Sequence, residues 1–306
     1  MNYLFTYLKG IAMGAADVVP GVSGGTIAFI TGVYDLLLGS IRKINPSLFS
    51  LWKREGFKAV LNHINAGFLV ALFGGILTSI LTLAKLISWL LVTHPIPLWS
   101  FFFGLILISV VHILKQVEDR KIHLVLFLVA GAALAYVITV LQPLDLQPTP
   151  VNIILAGAIA ICAMILPGIS GSFILLLLGI YPVVLNAVKE LNISILGLFA
   201  VGAVCGLLSF SHFLAWLLSK HRSATLVFLT GLMVGTLPKI WPWKETISWH
   251  LNSHGEKVPL VQHNLMPHQF EQVVGEPAHM LFAIVCMLAG IGIVWGLEKV
   301  AAKNHA

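Results

Sequence analysis

Two short segments, 147 residues apart, interrupt long apolar runs with nearly the same residues. The first reads Asp17-Val-Val-Pro20-Gly21-Val22-Ser23-Gly24-Gly25-Thr26, and the second Leu166-Pro167-Gly168-Ile169-Ser170-Gly171-Ser172. The shift lays Pro20 on Pro167, Gly21 on Gly168, Ser23 on Ser170, Gly24 on Gly171, Gly32 on Gly179 and Tyr34 on Tyr181. Proline removes a helical hydrogen bond, clashes with the preceding turn and disfavours helix at the residue before it. Each break therefore ends one helix and starts another, within 4–41 and within 151–188. An arm of about 15 residues makes about 22 Å of helix. That is short for a full crossing and suits half of a re-entrant hairpin.

Composition decides what surrounds these breaks. Of 306 residues, 58% are hydrophobic and 10% charged, where a soluble domain carries about 25% charge. So few charges cannot cover the surface of a soluble enzyme of this size. The formal charge of +6 records loops of a membrane protein, which makes nucleic acid a poor explanation of the basic balance. Spans are expected at about 66–92, 97–114, 122–141, 193–219, 223–241 and 278–297. The N-terminus does not read as a signal peptide, because Lys9 interrupts the apolar run and Asp17 stands where small residues would mark cleavage. Cys162, Cys205 and Cys286 lie in apolar runs without CxxC spacing and read as small buried hydrophobes.

The repeat continues more weakly. Phe101-Phe-Phe-Gly104-Leu105 matches Phe228-Leu-Thr-Gly231-Leu232 at a shift of 127, which lays His112 on Lys239. The chain thus divides into halves, 1–146 and 147–306, each a broken hairpin plus three spans. With both hairpins re-entrant and the N-terminus inside, thirteen Lys and Arg fall in inside segments. Four, Lys189, Lys239, Lys244 and Lys257, fall outside. That bias favours cytoplasmic termini. Three crossings per half turn the second half upside down. The fold class expected is an all-α polytopic membrane protein of two inverted repeats, and broken helices at matching positions of such repeats mark secondary transporters. Residues 42–64 form an amphipathic connector with a basic face, suited to anionic headgroups. The loop 242–277 holds His250, His254, His263 and His268 in no zinc spacing and reads as a solvated, partly ordered outer loop.

The breaks carry the chemistry. Non-helical backbone at membrane depth survives only against protein or a water-filled cavity. A helix beginning near Gly24 or Gly171 points its first N–H groups into the break. Ser23, Thr26, Ser170 and Ser172 add hydroxyls, and Gly25 permits close approach. Together these make an anion cradle without Lys or Arg. Valine at Gly21 or Gly168 is expected to stop transport while sparing the fold. Asp17, the one acid beside either break, reads as a coupling group or as a cap of the turn. His112 and Lys239 are candidates to meet an anionic headgroup, each on its own side. A small-anion carrier fits the cradle as well. A lipid phosphatase does not, for want of a paired His nucleophile and acid with an Arg-rich clamp.

The stretches KGIAMGAADVVPGVSGGTIAFITGVYD (9–35), LPGISGSFILLLLGIY (166–181) and FFFGLIL (101–107) resemble the polyprenyl-phosphate transporter (PopT) family across nearly the whole chain. The resemblance implies passage of undecaprenyl phosphate from the outer to the inner leaflet of the bacterial cytoplasmic membrane, returning the carrier for cell-envelope synthesis. It places the motif on Asp17, Pro20, Gly21, Ser23, Gly24, Gly25 and Thr26, and on Pro167, Gly168, Ser170 and Gly171. No cofactor is implied. A proton or sodium ion is the expected coupling species, since an anionic head moves inward against the potential.

Overall fold

The computed structural model describes residues 2–19, 22–117, 119, 121–141, 143–144, 146–251 and 257–303. Pro20 and Gly21 lie outside the described residues, as does His254. The first half contains α1 (Tyr3–Val18), α2 (Gly24–Ile30), α3 (Tyr34–Arg42), α4 (Ser47–Glu55), α5 (Phe57–His63), α6 (Ala66–Thr93), α7 (Pro95–Lys115) and α8 (Leu124–Val140). The second contains α9 (Pro150–Ile165), α10 (Gly171–Leu177), α11 (Tyr181–Lys189), α12 (Ile193–Lys220) and α13 (Arg222–Thr236). A 3-10 turn (Leu237–Ile240), strands β1 (Lys244–Leu251) and β2 (Lys257–Asn264), α14 (Pro267–Val274) and α15 (Met280–Lys303) complete it.

This is an all-α polytopic membrane fold with one small antiparallel hairpin, β1–β2. Among the described residues four stretches are long and apolar enough to cross a membrane, α6, α7, α12, and α13 with its 3-10 turn, or six if each bent pair counts as one span. Where spans were expected at 122–141 and 278–297, the apolar helices Leu124–Val140 and Met280–Gly296 are shorter. α6 and α12 have 28 residues each but bury only five each. Their outer faces carry Val70, Leu81 and Val92, and Val201, Val204 and Phe213, all exposed, as befits contact with lipid. α7 and α13 are shorter and bury ten residues each, so they form the centre.

Element lengths recur between the halves: 16 residues in α1 and α9, seven in α2 and α10, nine in α3 and α11. So do the crossings. A methyl on Gly10 would strike Leu72 O and one on Gly75 would strike Tyr7 O; on α9 and α12, Gly157 and Gly202 meet Phe199 O and Ile154 O in the same way. α7 meets α15 through Gly104 and Gly290, and α8 meets α13 through Gly131 and Gly231. Lipid supplies no hydrophobic drive between helices, so small residues that let backbones touch make these contacts.

Three expectations need correction. The returning arm of each hairpin is not one helix: α2 and α3 meet at 112°, α10 and α11 at 113°. The cause is Gly32 (φ 71°) and Gly179 (φ 72°). Val33 N–H reaches Ala28 O at 3.0 Å and Ile180 N–H reaches Leu175 O at 3.1 Å, the six-to-one bond that closes a helix at a left-handed glycine. Lys9 Nζ donates to Thr31 O at 2.7 Å across the first of these turns. Second, the loop 242–277, expected to be solvated and partly ordered, carries β1, β2 and α14 among its described residues but buries Trp243 and Phe270 in a core of its own. Third, Cys205 is exposed and the other two cysteines half-buried; α12 turns Cys205 outward with its lipid-facing stripe.

Candidate functional site

The two breaks meet. α1 stops at Val18, and Val19 is extended (φ −85°, ψ 119°) ahead of the proline. α9 stops at Ile165, and Leu166 is likewise extended (φ −70°, ψ 132°) before Pro167. Ser23 and Ser170 then cap α2 and α10. Ser23 Oγ accepts from Gly25 N–H at 3.1 Å, and Ser170 Oγ accepts from Phe173 N–H at 3.4 Å.

From this common plan the first tip reaches into the second. Ser23 Oγ donates to Met164 O at 3.3 Å, and Tyr34, from the start of α3, donates to Ile165 O at 3.0 Å. Those are end carbonyls of α9, which have no partner within the helix. Gly25 lies flat on the same carbonyls; a Cβ there would be 2.8 Å from both oxygens. Gly168 N–H donates to Thr26 Oγ1 at 2.8 Å. Ser23 and Thr26 are wholly buried.

The first break is therefore not an empty cradle. Asp17 Oδ1 accepts from Gly24 N–H at 2.7 Å, so a carboxylate of the chain itself occupies the N-terminus of α2. The capping alternative for Asp17 is realised in geometry. The second break is different. Position 164, which matches Asp17, is Met. Gly171 is half-buried and Ser172 exposed, and the Ser170 and Ser172 hydroxyls share a hydrogen bond of 2.8 Å. A small cavity opens here, lined by Gly168, Ile169, Ser170, Phe173, Thr236 and Lys239, with Ala135, Ile138 and Thr139 of α8.

Lys239 is the cation of this cavity. The 3-10 turn brings its Nζ to 5.1 Å from the centre of the Phe173 ring. Among the described residues no carboxylate lies within ion-pair distance of it. Behind it, Lys244 Nζ lies 3.9 Å from the centre of the Trp99 ring. Burial, and then the charge of Lys239, push the Lys244 pKa well below the usual lysine range. His112, its repeat partner by sequence, does not line this cavity; it pairs with Gln116 along α7 (Nε2 to Nε2, 2.7 Å). The shift of 127 places the two on related helices, but the turn after α13 swings Lys239 toward the tip of α10.

Sequence reasoning missed Thr236, Phe173 and Tyr34 as parts of this arrangement. Tyr34 carried a signal, since it recurs as Tyr181. Thr236 and Phe173 carried none; their place follows from α13 packing beside the second break.

Comparison with known proteins places the chain among transporters. The undecaprenyl phosphate translocase-like (VCA0040-like) family model matches residues 13–258. A polyprenyl-phosphate transporter of Vibrio cholerae is 67% identical over 303 residues, covering 99% of this chain and 98% of that protein. A polyprenyl-phosphate transporter of Staphylococcus aureus is 32% identical over 266 residues, covering 80% of this chain and 89% of that protein. No solved structure matches the chain.

Proposed function

The chain belongs to the undecaprenyl phosphate translocase-like family, and from that membership we infer that it carries polyprenyl phosphate between the leaflets of a membrane. The observation that supports a site for the headgroup is the cavity at the second break. A phosphate monoester needs hydroxyl donors and positive charge. Ser170, whose hydroxyl is hydrogen-bonded to the neighbouring Ser172, supplies the first from the cavity wall and Lys239 the second, and no acid lines the cavity among the described residues. α10 has seven residues, so its dipole adds only a fraction of a charge; the ammonium is the larger electrostatic contribution. The polyprenyl tail needs only lipid. α8 borders the cavity with Ile138 and Thr139, and the same helix turns Tyr136, Val137 and Val140 outward. As it stands the cavity holds about 10 Å³, room for no more than one water, so a head enters only when the second tip moves, and its tail then has a lateral exit beside α8.

The direction we propose is outer leaflet to inner leaflet of the bacterial cytoplasmic membrane, with both chain termini cytoplasmic and the halves inverted. The charge bias of the loops supports this orientation, which turns Lys239 and Lys244 toward the side from which the substrate arrives. Inward movement opposes a negative interior by about 2.3 kcal/mol per charge per 100 mV, and the head carries about 1.5 to 2 charges. A cation moving with the head removes that opposition. Asp17 is the group we assign to it, on the ground that an acid beside the paired tips must lose or share its charge as phosphate approaches.

Reconstitution in liposomes holding polyprenyl phosphate in the outer leaflet tests the reading. The expected result is inward movement of intact lipid phosphate, faster with an inward proton or sodium gradient. Release of inorganic phosphate would make the protein an enzyme, and an unchanged rate without gradient or potential would leave uncoupled flipping.

A further inference from the structure

The turn that presents Lys239 is held from outside. A 3-10 turn is poorly bonded within itself, and carbonyls at its end need partners from elsewhere. Two consecutive carbonyls of this turn receive them from one residue pair, Pro238 O having besides only a long bond of 3.4 Å from Trp241 N–H. Asn264 Nδ2 donates to Pro238 O at 2.8 Å, and Lys244 Nζ donates to Lys239 O at 2.6 Å. Lys244 and Asn264 face each other across the β-hairpin, at the end nearest the helices. Trp99 of α7, buried, backs the Lys244 amine. Trp241 Nε1 donates to Leu265 O at 2.8 Å, tying the residue after the turn to the residue after Asn264. The hairpin so grips the backbone on both sides of the Lys239 peptide and leaves the Lys239 side chain to Phe173 and the cavity.

We propose that the Lys244–Asn264 pair is a clamp that positions Lys239 for capture of the headgroup. It rests on the reading of Lys239 as the headgroup cation. Lys244 suits this task with or without a full charge, since an amine also donates to a carbonyl. It faces no carboxylate among the described residues. The role is positional: neither Asn264 nor Lys244 lines the cavity.

The test measures polyprenyl-phosphate uptake by proteoliposomes for Asn264→Ala, Lys244→Met and Lys244→Arg, alone and combined with Lys239→Met. Asn264 is exposed, so its alanine variant does not threaten the fold, and melting in detergent checks each protein. The expected result is an apparent KM raised about threefold to tenfold by Asn264→Ala and by Lys244→Met, the scale of one lost hydrogen bond, at an unchanged maximal rate. Lys244→Arg restores the KM, and neither clamp variant adds to the effect of Lys239→Met. An equal rise in KM with and without Lys239, or a lowered melting temperature at constant KM, overturns the clamp and makes the pair purely structural. If Lys239→Met leaves KM unchanged, the reading of Lys239 fails first. If it raises KM and Asn264→Ala does not, the clamp alone fails.

Discussion

The two tips share a sequence pattern and differ in what they do with it. The first is closed. Ser23 and Thr26 are buried, and their hydroxyls are engaged with protein groups; Asp17 holds Gly24 N–H. The second is open. Ser172 is exposed, Gly171 is half-buried, and Lys239 stands over the cavity beside them. A single residue of the repeat, Asp17 against Met164, accounts for much of this. An acid beside a helix start fills the place an anion would take, and the copy without one has the Ser170 hydroxyl there instead. The lesson is that duplicated motifs need not be duplicated sites: one copy serves as a wedge that completes the other.

The largest effect that would break this comparison is expected at Gly168. Its φ is +88°, and a Cβ would stand 2.9 Å from Thr236 Oγ1. A β-branched residue held at such a φ costs about 1–3 kcal/mol. Displacing the amide from Thr26 leaves a buried polar group unpaired, about 1–3 kcal/mol more. Gly168→Val is thus expected to lower the melting temperature as well as abolish transport, contrary to the expectation from sequence that the fold would be spared. A variant that melts like the parent would mean that the tips are not locked together.

Most of the helices were legible because apolar runs of about 20 residues, bounded by Pro and charged residues, leave few alternatives. The expected span 66–92 is α6 at Ala66–Thr93, and 193–219 is α12 at Ile193–Lys220. The second kink in each hairpin was present in the sequence as Gly32-Val33 and Gly179-Ile180, a glycine followed by a hydrophobic residue. The repeat of these residues was visible, but the apolar pattern runs straight through them. The asymmetry of the tips was not legible. It depends on which hydroxyl meets which carbonyl across 141 residues of sequence, as Ser23 meets Met164, and spacing carries no such information. The β-hairpin was hidden by a loop of mixed polar composition, whose strands are defined by their pairing with each other rather than by an apolar pattern.

Asp17→Asn sharpens the comparison with a smaller effect on the fold. An asparagine Oδ1 can still accept from Gly24 N–H. What is lost is the charge at the start of α2, about 0.3–1 kcal/mol. Melting is expected to shift by no more than that implies, while stimulation of transport by an inward proton or sodium gradient disappears. Retained stimulation would leave Asp17 as a cap and nothing else.

The smallest expected effects come from a matched pair, Ser23→Ala and Ser170→Ala, and here the sequence predicts equality while the structure predicts divergence. Ser23 accepts from Gly25 N–H and donates to Met164 O, with no exposure to either face. Its loss removes an N-cap and strips a partner from an end carbonyl of α9, which together destabilise by about 1–2 kcal/mol. Ser170 caps through a long bond of 3.4 Å and shares its hydroxyl with the exposed Ser172, so its loss costs the fold little. It removes instead a donor from the cavity wall, weakening headgroup binding by about 0.5–1.5 kcal/mol, the net worth of one hydrogen bond. Thermal melting should therefore separate Ser23→Ala from the parent, and the KM for polyprenyl phosphate should separate Ser170→Ala. If both variants raise KM alike and melt alike, the tips act as equivalent cradles, and the closed first tip is one stage of a cycle in which each opens in turn.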